Sequence, residues 1–232
     1  MPAVDRHPHL AEPRRDGWVR VDLHSHTMWS GDCTTTPEEL EEAVVDSGID
    51  VLCITDHSTI NGAKELAAEL PCRVIVGEEL RTGAGEVIGL FLTERLPFGI
   101  GHVAAAERIR AQGGLVYIPH PFDPTRHCLR EEALDELLDA GLVDGLEVFN
   151  AKTSLQSLNA RAAEVAQARD LPGGAGSDAH VAEALGAAYL EMPDFDGPAA
   201  MLAAMREARV VGHHWDGHRA WRPRIVPSTK AH

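Results

Sequence analysis

An α/β barrel with a mainly parallel sheet is the fold the sequence predicts, on three observations. Short apolar runs alternate with helix-period segments along almost the whole chain, the pattern of repeated βα units. About seven such units fit in the 232 residues, a length at which α/β barrels occur as single domains. Polar residues able to do chemistry follow the apolar runs directly, at the strand ends where parallel barrels carry their sites.

The elements follow in order. Residues 1–17 are polar, proline-containing and aperiodic, and read as a flexible N-terminal arm. Strands are expected at Val19–Leu23, Val51–Thr55, Val74–Val76, Leu115–Ile118, Leu146–Phe149 and Gly173–Gly176, with a weaker one at Ala187–Glu191. Glu86–Leu92 adds a short strand after the third. Helices are expected at Pro37–Ser47, Asn61–Leu70, Val103–Gln112, Arg130–Ala140, Leu155–Arg169 and Pro198–Arg206. The barrel domain spans 18–212. Residues 213–232, which include HHWDGHRAWRPR, form a tail packed on or extending from it. His213, His214 and His218 cluster there with nothing tying them to the barrel's chemistry.

Composition narrows the function. The formal charge of −15 argues against extended nucleic-acid binding. No apolar run approaches the ~20 residues of a membrane span, so no membrane partner is expected. The first residues lack the apolar core of a secretory signal. Cys33, Cys53, Cys72 and Cys128 show no paired spacing. Free thiols without a signal point to the cytoplasm.

Six strand ends carry His, Asp or Glu. The first ends in Asp22-Leu23-His24-Ser25-His26, the second in Thr55-Asp56-His57 and the third in Gly77-Glu78-Glu79. The fourth main strand ends in Pro119-His120-Pro121, the fifth in Glu147-Val148-Phe149-Asn150 and the sixth in Ser177-Asp178-Ala179-His180. One histidine at a strand end is more often structural than a ligand. Six such ends argue for one convergent metal site. Mixed imidazoles and carboxylates suit Zn²⁺, Mn²⁺ or iron better than Ca²⁺ or Mg²⁺. The donors are too many for one ion, so a bridging carboxylate is needed, and Glu79 is the natural choice. Clustered metals suit phosphate-ester hydrolysis. They hold the phosphoryl oxygens, neutralise developing charge and bring a bound water's pKa to near ~7, giving the hydroxide that attacks phosphorus. Asp22 and Asp56 are placed to orient imidazoles, and Asp56 is counted with the catalytic candidates.

Together DLHSHT, ITDHSTINGA, GEEL, IPHPFD, LEVFN and GSDAH resemble the PHP family, named for polymerase and histidinol phosphatase domains, from about Val19 to about Gly212. The resemblance implies a distorted (β/α)7 TIM-like barrel. It also implies a phosphoesterase with up to three divalent metal ions (Mn, Fe or Zn). By position, His24, His26, Glu79 and Asp178 match the ligands of one metal. Glu79 would bridge to a second, completed by His120 and the residue at the family's H-x-L-G position. That position reads Glu86-Val87-Ile88-Gly89 here, so Glu86 replaces a histidine. Asp32, His57 and His180 match a third site. The stretch between Glu79 and Pro119 leaves no room for the helical insertion of nucleotide-directed members, so the pocket should be open or closed by the tail.

Arg81, Arg126, Lys152 and Asn150 are the candidates for binding a small phosphorylated substrate, since Arg offers a fork that matches phosphate oxygens. His127 is either a proton donor to the leaving group or an exposed histidine. Trp29 either stacks on a base or lids the site. The alternatives to a phosphoesterase are an amidohydrolase-like C–N or ester hydrolase and a metal-holding domain without activity.

Overall fold

Helix ends fall where local chemistry puts them. In the computed structural model, which describes residues 2–216, α2 (Pro37–Ser47) opens with a capping box. Thr36 accepts from Glu39 N, and the Glu39 carboxylate accepts from Thr36 N. Pro37 sits where a missing N–H costs nothing, and Gly48 closes the helix in the left-handed region. The expected α3 stops at Leu66 (Asn61–Leu66), and residues 67–70 continue as a turn ahead of Pro71. Helices α4 (His102–Ala111), α5 (Glu131–Asp139), α6 (Gln156–Ala168) and α7 (Gly197–Met205) fall within a residue or so of expectation.

The strands β1 (Trp18–Ser25), β2 (Val51–Ile54), β3 (Arg73–Thr82), β4 (Gly85–Leu90), β5 (Leu115–Ile118), β6 (Gly145–Asn150), β7 (Gly173–Gly176), β8 (Ala188–Pro193) and β9 (Arg209–Gly212) form one sheet. Their order is β7-β6-β5-β4-β3-β2-β1-β8-β9. Pairs β1/β2, β2/β3, β5/β6 and β6/β7 are parallel, whereas β4, β8 and β9 run antiparallel to their neighbours. The sheet is mixed rather than purely parallel, and the hairpin partner β4 prolongs β3 through Glu79 to Thr82. Four residues of Arg-Val-Val-Gly are too few to show a strand period, so β9 was not legible. It pairs with β8, with Arg209 donating to Glu191 at 2.7 Å.

The barrel closes only at its carboxyl end. Ser25 bridges Ala179, Asp178 N donates to His24 O at 2.8 Å, and His26 N donates to Ala179 O at 3.0 Å. Closure needs glycine at two positions of β7, since a Cβ on Gly176 would collide with the His24 Cβ, and one on Gly174 with the Tyr117 ring. Val21, Leu23, Cys53, Ile88, Tyr117, Leu190 and Met192 fill the interior, and α7 adds Met201 and Met205. Separate apolar layers lie under α4–α6 and under α2 and α3.

The N-terminal stretch is not an open arm. It forms α1 (Ala3–Arg6) and a 3-10 turn (Pro8–Ala11), and buries Ala3 and His7. His7 Nδ1 lies 2.8 Å from His213 Nε2, which ties the segment to the chain beyond β9. Residues 217–232, and with them His218, lie outside the described part. No helix among the described residues is long and apolar enough to cross a membrane.

Candidate metal centre

A β-bulge aims the first two histidines. Val21 and Leu23 face the barrel interior, so an unbroken strand would turn His24 and His26 to the opposite face. The β1/β2 register shifts between Asp22 and Ser25, and this extra residue reverses the phase. Both imidazoles then reach the mouth, with their Nε2 atoms 3.1 Å apart. A second shift in β6 between Glu147 and Phe149 lets Glu147 and Asn150 share a face. His120 and Asp178 hold positive φ angles of 29° and 49°, a costly backbone for non-glycine residues that concentrates at functional sites.

Glu79 lies at the centre. Its Oε2 is 3.5 Å from His24 Nε2, 3.4 Å from His26 Nε2 and 3.1 Å from His57 Nδ1, and its Oε1 is 3.2 Å from His120 Nε2. Asp178 Oδ1 stands 3.6 Å from His26 Nε2 and 3.9 Å from His24 Nε2. Asp32 Oδ2 joins His57 Nε2 at 3.2 Å and His180 Nε2 at 3.5 Å. Glu86 faces His57 Nδ1 and His120 Nε2, both at 3.8 Å. All nine expected ligands therefore converge. Four sets of three have ligand atoms within 4.8 Å of one another: His26/His57/His180, His24/Glu79/His120, His24/His26/Asp178 and His57/Glu79/Glu86.

The surroundings correct several expectations. Glu147, fully buried, orients His24: its Oε1 lies 3.1 Å from Nδ1, and its Oε2 accepts from His120 N and Asn150 Nδ2. Asp22 instead braces backbone, taking His24 N, Ser177 N and Ser177 Oγ. Burial pushes Asp22 up to about 7. Each Asp56 oxygen accepts from Thr27, so it fixes the loop after β1. Asn150 is buried and donates to Glu147 and Asp178. Lys152 is buried too, with Nζ 2.8 Å from both Asp178 O and His180 Nδ1. These two side chains support the cluster rather than face a substrate. His127 is exposed, and its carbonyl receives Glu86 N at 2.8 Å. Trp29 is buried at 6%, which removes it as a stacking platform. Arg81 pairs with Glu86. Arg126 reaches the cluster, with Nη2 2.8 Å from Asp178 Oδ2. The approach is close but poorly directed, so Nε and Nη2 stay buried donors without a hydrogen bond.

The donor set fits divalent cations. Four carboxylates share one small region, and the imidazoles, Arg81, Arg126 and Lys152 are the cationic groups facing them. Burial opposes protonation of His57, yet Glu79, Asp32 and Glu86 lift it to about 9. His24 is also raised well above the usual range: burial opposes this, and Glu147, Glu79 and Asp178 outweigh it. Burial and the neighbouring His180 and His57 hold His26 far below that range, leaving a lone pair free. Despite burial, His24 and His57 keep Glu79 ionised, and Lys152 and Arg126 do the same for Asp178. His57 Nδ1 and His120 Nδ1 are buried without a hydrogen bond. His57 Nδ1, 3.1 Å from Glu79 Oε2 without a directed hydrogen bond, is a natural ligand atom, whereas His120 presents its other nitrogen, Nε2, to Glu79 and Glu86.

Known proteins agree with this geometry. An uncharacterized Methanocaldococcus jannaschii protein, MJ1587, is 39% identical over 146 residues, covering 57% of this chain and 82% of its own. A second from that organism, MJ0417, is 35% identical over 180 residues, covering 77% and 72%. The fold matches a crystal structure of a two-domain Bacteroides vulgatus protein containing a predicted PHP-like metal-dependent phosphoesterase. The TM-score is 0.67 at 18% identity, with 87% of this chain and 67% of that one covered. Residues 22–110 match the PHP domain and residues 156–210 the PHP-associated family. Two structural neighbours are described as predicted metal-dependent phosphoesterases and another as an amidohydrolase. With its clustered imidazoles and carboxylates at the mouth of a nearly closed barrel, this chain belongs to the PHP family.

Proposed function

We propose that the protein is a phosphomonoesterase acting on a small phosphorylated metabolite or nucleotide, with up to three Mn, Fe or Zn ions. The convergence of nine candidate ligand side chains, with Glu79 touched by four imidazoles, carries this reading. His24, His26, Glu79 and Asp178 would hold one ion, Glu79, His120 and Glu86 a second, and Asp32, His57 and His180 a third. Bound divalent ions supply Lewis acidity toward phosphoryl oxygens and an activated water at neutral pH.

The chain's own groups do the rest. Arg126 offers buried, undirected N–H donors beside Asp178, which suits an anionic oxygen entering the pocket. Glu147 holds the His24 ring with Nδ1 turned away from the cluster. Lys152 neutralises Asp178 from below, which leaves an anionic substrate less repelled. The exposed His127 stands at the rim, where a leaving group can take a proton from it or from solvent.

The test is a panel of phosphate monoesters and diesters, amides and lactones, run with Mn²⁺-, Zn²⁺- and Fe²⁺-loaded protein. Monoester hydrolysis that is abolished by E79Q and reduced at least ~100-fold by R126A supports the reading. Turnover confined to amides or lactones, or none from metal-loaded protein, overturns it.

A further inference from the structure

The β3–β4 hairpin sets Arg81 directly opposite Glu86. Arg81 Nε and Nη2 both contact Glu86 Oε1, at 3.2 and 2.9 Å. That same oxygen faces His57 Nδ1, whereas Oε2 faces His120 Nε2. So the guanidinium occupies the oxygen through which Glu86 meets the His57 side of the cluster. The two partners differ sharply in burial: the Glu86 side chain is 3% exposed and that of Arg81 is 51%. Glu86 cannot leave its place, and Arg81 can swing into solvent. Arg126 and Lys152 differ in this respect, because their side chains are only 14% and 6% exposed and are locked against Asp178.

We propose that Arg81 is a resident counter-cation for Glu86, seated on the oxygen that faces His57, and that an ion held by the His57, Glu79 and Glu86 side chains displaces the guanidinium to the rim. The proposal rests on the metal-centre reading above. Its physical basis is charge. The Glu86 side chain is 3% exposed, and its ligand oxygen lies within 4.8 Å of one from Glu79. A carboxylate in that setting needs a cation at all times. Arg81 supplies one when the ion is absent and withdraws at little cost when a doubly charged competitor arrives. The ion position at Glu86 is then the weakest-held and most exchangeable of the centre.

Mn²⁺ binding to the full chain tests this. Free Mn²⁺ is counted by electron paramagnetic resonance during titration, and the melting temperature of chelator-treated protein is measured alongside. R81Q should tighten the weakest-held Mn²⁺ by roughly two- to fivefold, the scale of a half-exposed ion pair. The metal-free R81Q protein should melt below metal-free wild type, because Glu86 then faces Glu79 without a counter-ion. In an E86Q background the same replacement should change neither quantity. R81M makes the same comparison if R81Q fails to fold. Weaker Mn²⁺ binding in R81Q would show that Arg81 supports Glu86 as a ligand, and unchanged binding would make it a plain surface charge; either result overturns the proposal. Wild-type protein that binds no Mn²⁺ overturns it together with the metal reading. Mn²⁺ binding without phosphatase activity overturns the proposed function alone.

Discussion

At the residue scale, Glu147 shows what a strand-end pattern hides. His24, His26, His57, His120, Asp178 and His180 were legible because each is a polar residue breaking an apolar run at the rim. Glu147 follows the same pattern, but nothing in the sequence separates a ligand from the carboxylate that orients one. Only the 3.1 Å contact to His24 Nδ1 does so. E147Q should lower metal affinity 10- to 100-fold by turning an amide donor toward that nitrogen. E147D should recover part of the loss, and metal titration of both variants checks this. Asp56 and Asn150 were misassigned for a related reason: their residue types fit catalysis or substrate contact, and their contacts are structural. Of the two roles open to Trp29, burial removes stacking on a base, which a loop position in the sequence does not reveal.

Glu78 titrates through stability rather than activity. It is fully buried, its Oε2 accepts from Leu96 N at 2.8 Å, and burial raises it from 4.5 to about 7. The folded protein then holds a proton that the unfolded chain has released. Stability from this group is full below about pH 4.5 and falls as pH rises through about 7. E78Q should remove this fall, so its stability relative to wild type should increase between pH 4.5 and 7. Urea denaturation across that range checks the sign, and a constant difference would contradict the assignment.

At the element scale, bulges and glycines decide where side chains point. The change in phase between Leu23 and His24 is visible in the sequence as apolar odd positions followed by histidines at even ones. A strand with period two cannot place both sets on the interior side, so the bulge is the structural consequence of that change. β9 and the antiparallel course of β8 were not legible, since alternation gives a strand's faces and not its direction. The Gly-Gly-Ala-Gly of β7 is short because the barrel closes across it. G176A should cost ~1–3 kcal/mol through collision with His24. It should also weaken metal binding, because the displaced residue, His24, is one of the proposed ligands. T36A removes half of the α2 capping box and should cost about 1 kcal/mol without touching metal affinity. Chemical denaturation and metal titration together separate these two outcomes.

For the molecule as a whole, net charge and metal loading belong together. The formal charge of −15 includes several carboxylates concentrated at one rim, where they repel unless cations join them. Any ion bound only by the folded state adds stability, about 2.7 kcal/mol per site at a hundredfold excess over Kd. Chelation should therefore lower the melting temperature, and Mn²⁺ or Zn²⁺ should restore it. The α/β class and the barrel were legible because the βα repeat and the length leave few alternatives. The packing of His7 against His213 was not, because polar, aperiodic segments carry no period to read.

The most direct test is anomalous diffraction from crystals grown with Mn²⁺ or Zn²⁺. Anomalous peaks within bonding distance of His24, His26, Glu79 and Asp178, with at least one more sharing Glu79, are the predicted result. Crystals saturated with metal that show no peak among these side chains, their imidazoles hydrogen-bonded to the carboxylates instead, would contradict the account at its centre.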